Sequence, residues 1–456
     1  MQNITIFDYL LLPVYLFIFY IIVKKISVKY PDAELRKYFF VSFYLHMFGA
    51  VAYAMMVQYY YGYGDSFVFY YGGNFLNSQL LQDPGNIKYF FKPAIEVKTW
   101  FDFEVGDISY AGYFGIASNL FIMKISAFLS LITFNKYLIT TLFFGLFSFA
   151  GLWRLFLVFK DINKSKELKI LAWAVLFVPS VWFWGSGLIK DSVCIGSIGF
   201  IIHFLYRLFI KKEFSIRSII GLAVLVYIVL VIKSYIIIAL AVGLSVFIFY
   251  KFITPFKNIV IRAFIILAFL FAILIVTFIT NFTDQLQLLA EESMVQVDEF
   301  KRNYDAANNE NDLSRAAVEM KEIDLSSPAG MIAHSPVAIF NCLYRPFIWE
   351  SRKIFILFSA FESLLLLLST LYVMFKLKFW GFFREIFKNP FILISFVIAI
   401  FFALIIGFTT YNFGTIARYR IILMPFYFFA LVSLYTAYAD KKRLLFHKNP
   451  KLTKLH

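Results

Sequence analysis

The sequence predicts an all-α fold: a polytopic transmembrane helical bundle of about 11 spans, with two long extracytoplasmic loops carrying amphipathic helices. Three observations predict it. Of 456 residues, 61% are hydrophobic and 16% charged, with a mean hydropathy of +0.77; a soluble chain is roughly 45–50% apolar and about 25% charged. Apolar runs recur at lengths near the roughly 20 residues that cross a bilayer core. Lys and Arg gather in alternate loops between those runs, as the positive-inside rule requires. An aromatic content of 21%, with 60 Phe, suits lipid contact. Cytosolic enzymes and secreted disulfide scaffolds are excluded. The two cysteines, Cys194 and Cys342, allow one bridge at most and no Cys-rich metal site.

In chain order the spans fall near 7–23, 38–60, 137–158, 170–187, 193–210, 218–233, 235–250, 259–280, 354–375, 390–409 and 421–438. The first runs into Lys24-Lys25 without a small-residue cleavage site, so it reads as a retained span rather than a signal peptide. Residues 218–250 are interrupted only by Lys233. As one helix they would reach about 50 Å, against a core of about 30 Å. They are therefore predicted to split into two short spans turning at Lys233-Ser234-Tyr235. Residues 113–133 are apolar enough to span, but counting them would place the basic stretch 160–169 outside. They also contain Lys124 and end at Asn135-Lys136, so they read as helices on the outer membrane surface. In 284–325, Glu291, Glu292, Asp298, Glu299, Glu319 and Glu322 interleave with apolar residues, which predicts amphipathic helices with a solvated face. The stretch from Asp305 to Asp312 lacks the glycine and ligand spacing of a calcium loop.

Charge fixes the expected sidedness. The segments 24–37, 160–169, 207–217, 251–262, 376–388 and 440–454 hold 26 basic and 7 acidic residues; the loops 61–136 and 281–353 hold 12 basic and 18 acidic. Eleven spans then put the N-terminus outside and the C-terminus in the cytoplasm of a bacterium, in its plasma (inner) membrane. The chain reads as a single transmembrane domain, 1–456, with those two loops outside. The net charge of +15 is a cytoplasmic-leaflet signature and needs no nucleic acid.

The unusual polar residues converge on the expected outer side. In the run Tyr59–Tyr71, Asp65 lies between glycines and aromatic rings, where a partly desolvated carboxylate suits a general base or a metal ligand. A helix cap with belt tyrosines would give the same pattern. In Pro179–Ser192, Asp191 opens a helix, where the dipole favours an acid, and capping alone explains it. Lys190 beside it either pairs with a phosphate or snorkels. Near 344–350, Arg345 and Glu350 pair with each other, face a head group, or simply anchor the interface. Arg418 and Arg420, ahead of Pro425, oppose the positive-inside bias, and arginine binds phosphate bidentately. Two residues apart on a helix, they diverge by about 200°; phosphate recognition is assigned to Arg420 and anchoring to Arg418. Glu362, inside a span, is a functional candidate by its position. His46 and His203 read as bundle histidines, and His334 has no partner at ligand spacing. Walker, GxGxxG, HExxH and GxSxG motifs do not occur.

The order of these elements resembles membrane-embedded glycosyltransferases of the GT-C class and related polysaccharide-assembly membrane proteins. Gly64-Asp65-Ser66-Phe67-Val68-Phe69-Tyr70-Tyr71 looks like the acidic motif of their first outer loop, and Asn119–Asn135, Pro179–Asp191 and Arg418-Tyr419-Arg420 through Pro425 are similar in kind to later elements. The pattern covers 65–425. It departs in having one span before the acidic loop with the N-terminus outside. It also has a single Asp in place of an acidic pair, which leaves a divalent cation open. The resemblance implies a polyprenyl-linked sugar donor and a glycan or lipid acceptor, with membrane lipids around the spans. Asp65 would deprotonate the acceptor, with Asp191 as the second catalytic candidate. Lys190, Arg345, Arg418 and Arg420 would neutralise the phosphate, and Tyr70, Tyr71 and Glu350 would contact substrate. A polymerase or ligase of lipid-linked polysaccharide (O-antigen or exopolysaccharide type), a transporter or lipid flippase, and a non-catalytic assembly factor are the alternatives.

Overall fold

Every regular element among the described residues is a helix. The computed structural model describes residues 3–105, 111–163, 167–253, 328–351, 354–410 and 413–448. The predicted span 259–280 and the acidic segment 284–325 lie outside the described residues. In chain order the helices are α1 (Ile6–Ser27), α2 (Ala33–Met55, prolonged by a π turn to Tyr61), α3 (Asp65–Gln82), α4 (Ala94–Val105) and α5 (Ala117–Thr133). Then come α6 (Tyr137–Asn163), α7 (Leu168–Val175), α8 (Pro179–Trp184), α9 (Lys190–Tyr206, prolonged to Lys211) and α10 (Ile216–Ile253). The last are α11 (Pro328–Tyr344), α12 (Ile354–Leu377), α13 (Phe379–Lys388), α14 (Pro390–Thr409), α15 (Phe413–Tyr419) and α16 (Met424–Lys448).

Among the described residues seven of these, α1, α2, α6, α9, α10, α12 and α14, are long and apolar enough to cross a membrane, and the pair Phe413–Ile422 with Met424–Lys442, bent by 63°, makes an eighth if it is one span. This is a helical membrane protein. One predicted span takes another form. Residues 170–187 are two short helices, because Pro179 cannot follow a helical residue comfortably: Val178 is extended at φ −62°, ψ 120°, and Pro179 opens α8. Residues 218–250 are two helical stretches that meet at a kink, at the break the sequence predicts: Lys233 leaves the helical region, at φ −152°, ψ 84°, although no Gly or Pro stands at 233–235.

The chain divides into two compact units, Met1–Asp161 with Val175–Ile237, and Ile162–Ala174 with Ile238–His456. In the first, α6 is the central helix, with 67% of its most apolar stretch buried against 17% for α1. Where α6 meets α9, a Cβ on Gly151 would stand 2.0 Å from the Gly196 carbonyl oxygen, so only glycine permits this backbone approach. Asp8, fully buried, ties the starts of two helices together. Its Oδ2 accepts from the Thr5 amide and hydroxyl (2.9 and 2.7 Å), and its Oδ1 accepts from the Leu138 amide (3.1 Å). The 17-residue α5, expected on the membrane surface, packs along α3, and left-handed Phe134 and Asn135 turn the chain from it into α6. In the second unit α11, α14 and α16 pack in series, with α12 against α11 and α16.

Candidate functional site

Asp65 is the first residue of α3. The turn before it uses Gly62 at φ +71° and Gly64 at φ +134°, the second a conformation that side-chain-bearing residues rarely adopt. This turn, rather than a side-chain cap, brings the half-buried Asp65 to the helix start. The Tyr113 hydroxyl donates to Asp65 Oδ1 at 3.5 Å. Burial and the adjacent Asp65 carboxylate push the Tyr113 phenol above its usual pKa, so it remains the donor.

Five residues further on, Ser118 Oγ accepts from Lys190 Nζ at 2.8 Å. Asp65 and Lys190, 125 positions apart in sequence, are thus both tied to the stretch Tyr113–Ser118. The Cα atoms of its ends are no more than about 18 Å apart. Asp191 follows Lys190 into the first turn of α9 and is fully buried. It pairs with Lys233 Nζ at 2.5 Å, and Lys233 is itself 9% exposed. Lys233 therefore leaves the helical conformation of α10 at the point where it meets Asp191. Two buried charges within apolar helices are tolerated because they pair.

Tyr70 and Tyr71 are used within the fold. The Tyr70 hydroxyl donates to the Asn135 carbonyl at 2.7 Å, and the Tyr71 hydroxyl donates to Asn3 Oδ1. Both fasten α3 to neighbouring turns.

The second unit has its own polar cluster. Arg345, at the end of α11, donates from Nε to both Glu350 oxygens (3.0 and 3.2 Å) and from Nη2 to Oε1, and its guanidinium lies 5.1 Å from the Phe413 ring centroid. Glu350 also accepts from the Phe347 amide at 2.7 Å. Arg420 is wholly buried. Its Nη1 donates to Ser363 Oγ (2.6 Å) and the Arg345 carbonyl (3.2 Å), while Nη2 donates to Ser359 O and Oγ (both 3.0 Å). Glu362 Oε1 stands 3.5 Å from Nη2 and supplies the countercharge. The sequence reading gives the phosphate to Arg420. In the structure that guanidinium is closed in by serines, a carbonyl and Glu362, and it joins α11, α12 and the bend before α16. Arg418 is half-buried, with its guanidinium 5.9 Å from the Tyr419 ring.

Among the described residues no three His, Cys, Asp or Glu side chains gather as a metal site. Sequence reasoning singled out Asp65, Lys190, Asp191 and Glu362 but did not give the partners Tyr113, Ser118, Lys233, Ser359 and Ser363. Lys233 had a signal, as the lone charge in a run of 33 apolar-rich residues. Asp8 carried none beyond being an acid in the first turn of the first span. Compared with protein-family models, curated proteins and solved structures, the chain has no match.

Proposed function

We propose that the chain is a lipid-linked sugar glycosyltransferase of envelope-glycan assembly, moving a sugar from a polyprenyl-phosphate donor to a glycan or lipid acceptor on the extracytoplasmic face. The observation that supports this best is the convergence of Asp65 and Lys190 on the stretch Tyr113–Ser118. It sets a carboxylate and an ammonium on one short segment, flanked by apolar helices that suit a lipid tail. Asp65 accepts the proton of the acceptor hydroxyl, whose oxygen bonds the anomeric carbon. The bond from that carbon to the phosphate oxygen breaks, and polyprenyl phosphate leaves with the electron pair, its added charge offset by Lys190. Asp191 does not serve as the base, because Lys233 already holds it; it positions Lys190 at the head of α9. A polymerase or ligase using the same donor would differ in acceptor.

One observation favours a second reading. A buried acid–base pair at the break of a long apolar helix is a feature of transporters and flippases. Purified protein given labelled polyprenyl-phosphate sugars separates the two. The transferase reading expects free polyprenyl phosphate and a glycosylated acceptor. Translocation of intact donor across proteoliposomes, with no cleavage of any donor, would replace it with the flippase.

A further inference from the structure

The turn between α12 and α13 places cations at the edge of an apolar surface. At 100° per residue, Phe382 and Ile386 of α13 fall on one side and are buried, while Phe379, Phe383 and Phe387 fall next to them and are exposed. Arg384, Glu385 and Lys388 fall on the opposite side. Such a division, with Trp380 81% exposed beside it, is that of a helix lying in the plane of a membrane interface. Since α13 joins two helices long enough to span, α12 and α14, it belongs where both leave the apolar layer. A cavity of about 700 Å³ opens at this corner, and Leu371, Phe375, Lys376, Lys378, Phe379 and Tyr438 are among its lining residues.

Lys378 is held at φ 60°, ψ 155°, a backbone region that is essentially glycine's and strains any residue with a side chain. A lysine kept where glycine fits better suggests a use for its ammonium. Two residues earlier, Lys376 Nζ lies 5.4 Å from the Tyr372 ring centroid. Neither lysine pairs with a carboxylate among the described residues, and Glu385, the one acid of α13, is taken by Lys388 at 2.8 Å. No side chain caps α13, so its first N–H groups and the positive end of its dipole face the same corner. The cations and dipole call for an anion; the Leu371 and Phe375 wall calls for hydrocarbon.

We propose that this corner binds one anionic phospholipid, with its phosphate between Lys376 and Lys378 and an acyl chain along Leu371 and Phe375. The expected cytoplasmic placement of 376–388 agrees, since that leaflet carries the anionic lipid.

Native mass spectrometry of the purified full chain, titrated with phosphatidylglycerol and phosphatidylcholine of equal chain length, tests the assignment. The wild type should retain a first phosphatidylglycerol about tenfold more tightly than phosphatidylcholine. Lys376→Gln combined with Lys378→Gly should reduce that preference to about twofold or less, and should unfold at no lower temperature, because glycine suits the backbone at 378. Lys376→Gln alone should lower it partway. Lys388→Gln, which removes a lysine outside the cavity lining, should keep it. Equal retention of both lipids by the wild type, or an unchanged preference in the double variant, would overturn the proposal. So would displacement of the lipid by millimolar glycerol phosphate, which would make the site one for a soluble anion.

Discussion

A buried ion pair is costly to assemble and costlier to break, so Asp191–Lys233 and Glu362–Arg420 are sensitive points of the two units. Asp191→Asn leaves Lys233 buried without its countercharge and should cost about 3–5 kcal/mol of stability. The double replacement Asp191→Leu with Lys233→Met should recover most of that loss, as read from thermal unfolding in detergent. Failure of the double variant to recover would show that the pair contributes more than neutralisation. At Arg420, lysine cannot span two serines, a carbonyl and Glu362 at once. Arg420→Lys should therefore lower stability by about 1–3 kcal/mol, whereas Arg418→Lys should leave stability within about 0.5 kcal/mol. A donor-binding defect in Arg420→Lys at unchanged melting temperature would return the phosphate to Arg420. The charged residues themselves were legible in the sequence, because few charges occur within so apolar a chain. Their pairings were not: Asp191 and Lys233 are 42 positions apart, Glu362 and Arg420 are 58 apart, and no local rule relates them.

Helix boundaries were legible wherever a breaker or charge marks them. Lys24-Lys25 follow the core of α1, Pro390 opens α14 with Asn389 capping it, and Pro179 separates α8 from α7. Residues 218–250 were legible by length: one straight helix would overshoot the bilayer, and the chain kinks at Lys233 although Lys233-Ser234-Tyr235 contains no Gly or Pro. The partner that Lys233 meets at the kink, Asp191, was not legible. Helix–helix distances were also hidden, since a glycine in sequence does not reveal what faces it. The α6–α9 crossing gives a direct check. Gly151→Ala would drive a methyl to 2.0 Å from the Gly196 oxygen and should cost about 1–3 kcal/mol. Gly112→Ala, with open space around it, should change stability by less than about 0.5 kcal/mol. Equal melting temperatures for the two variants would mean the crossing is looser than described.

For the molecule as a whole, the charge asymmetry of the loops carries an expectation of sidedness, because lysines and arginines are generally retained on the cytoplasmic side during insertion. In a background lacking Cys194 and Cys342, cysteines placed near 100 should react with a membrane-impermeant reagent in intact cells. Those near 30, 169 and 448 should not. Reaction near 169 would make α5 a true span and place Lys190 on the other side. The central claim concerns chemistry, and one measurement reaches it most directly: transfer by the purified protein in proteoliposomes, with the polyprenyl-phosphate sugar in the bilayer and the acceptor supplied only on the side that labels near 100. The account predicts polyprenyl phosphate released in step with glycosylated acceptor, and a fall of about 10²-fold or more in Asp65→Asn, which keeps the shape but removes the base. Wild-type rates in Asp65→Asn, or no release from any donor by the wild type, would contradict it.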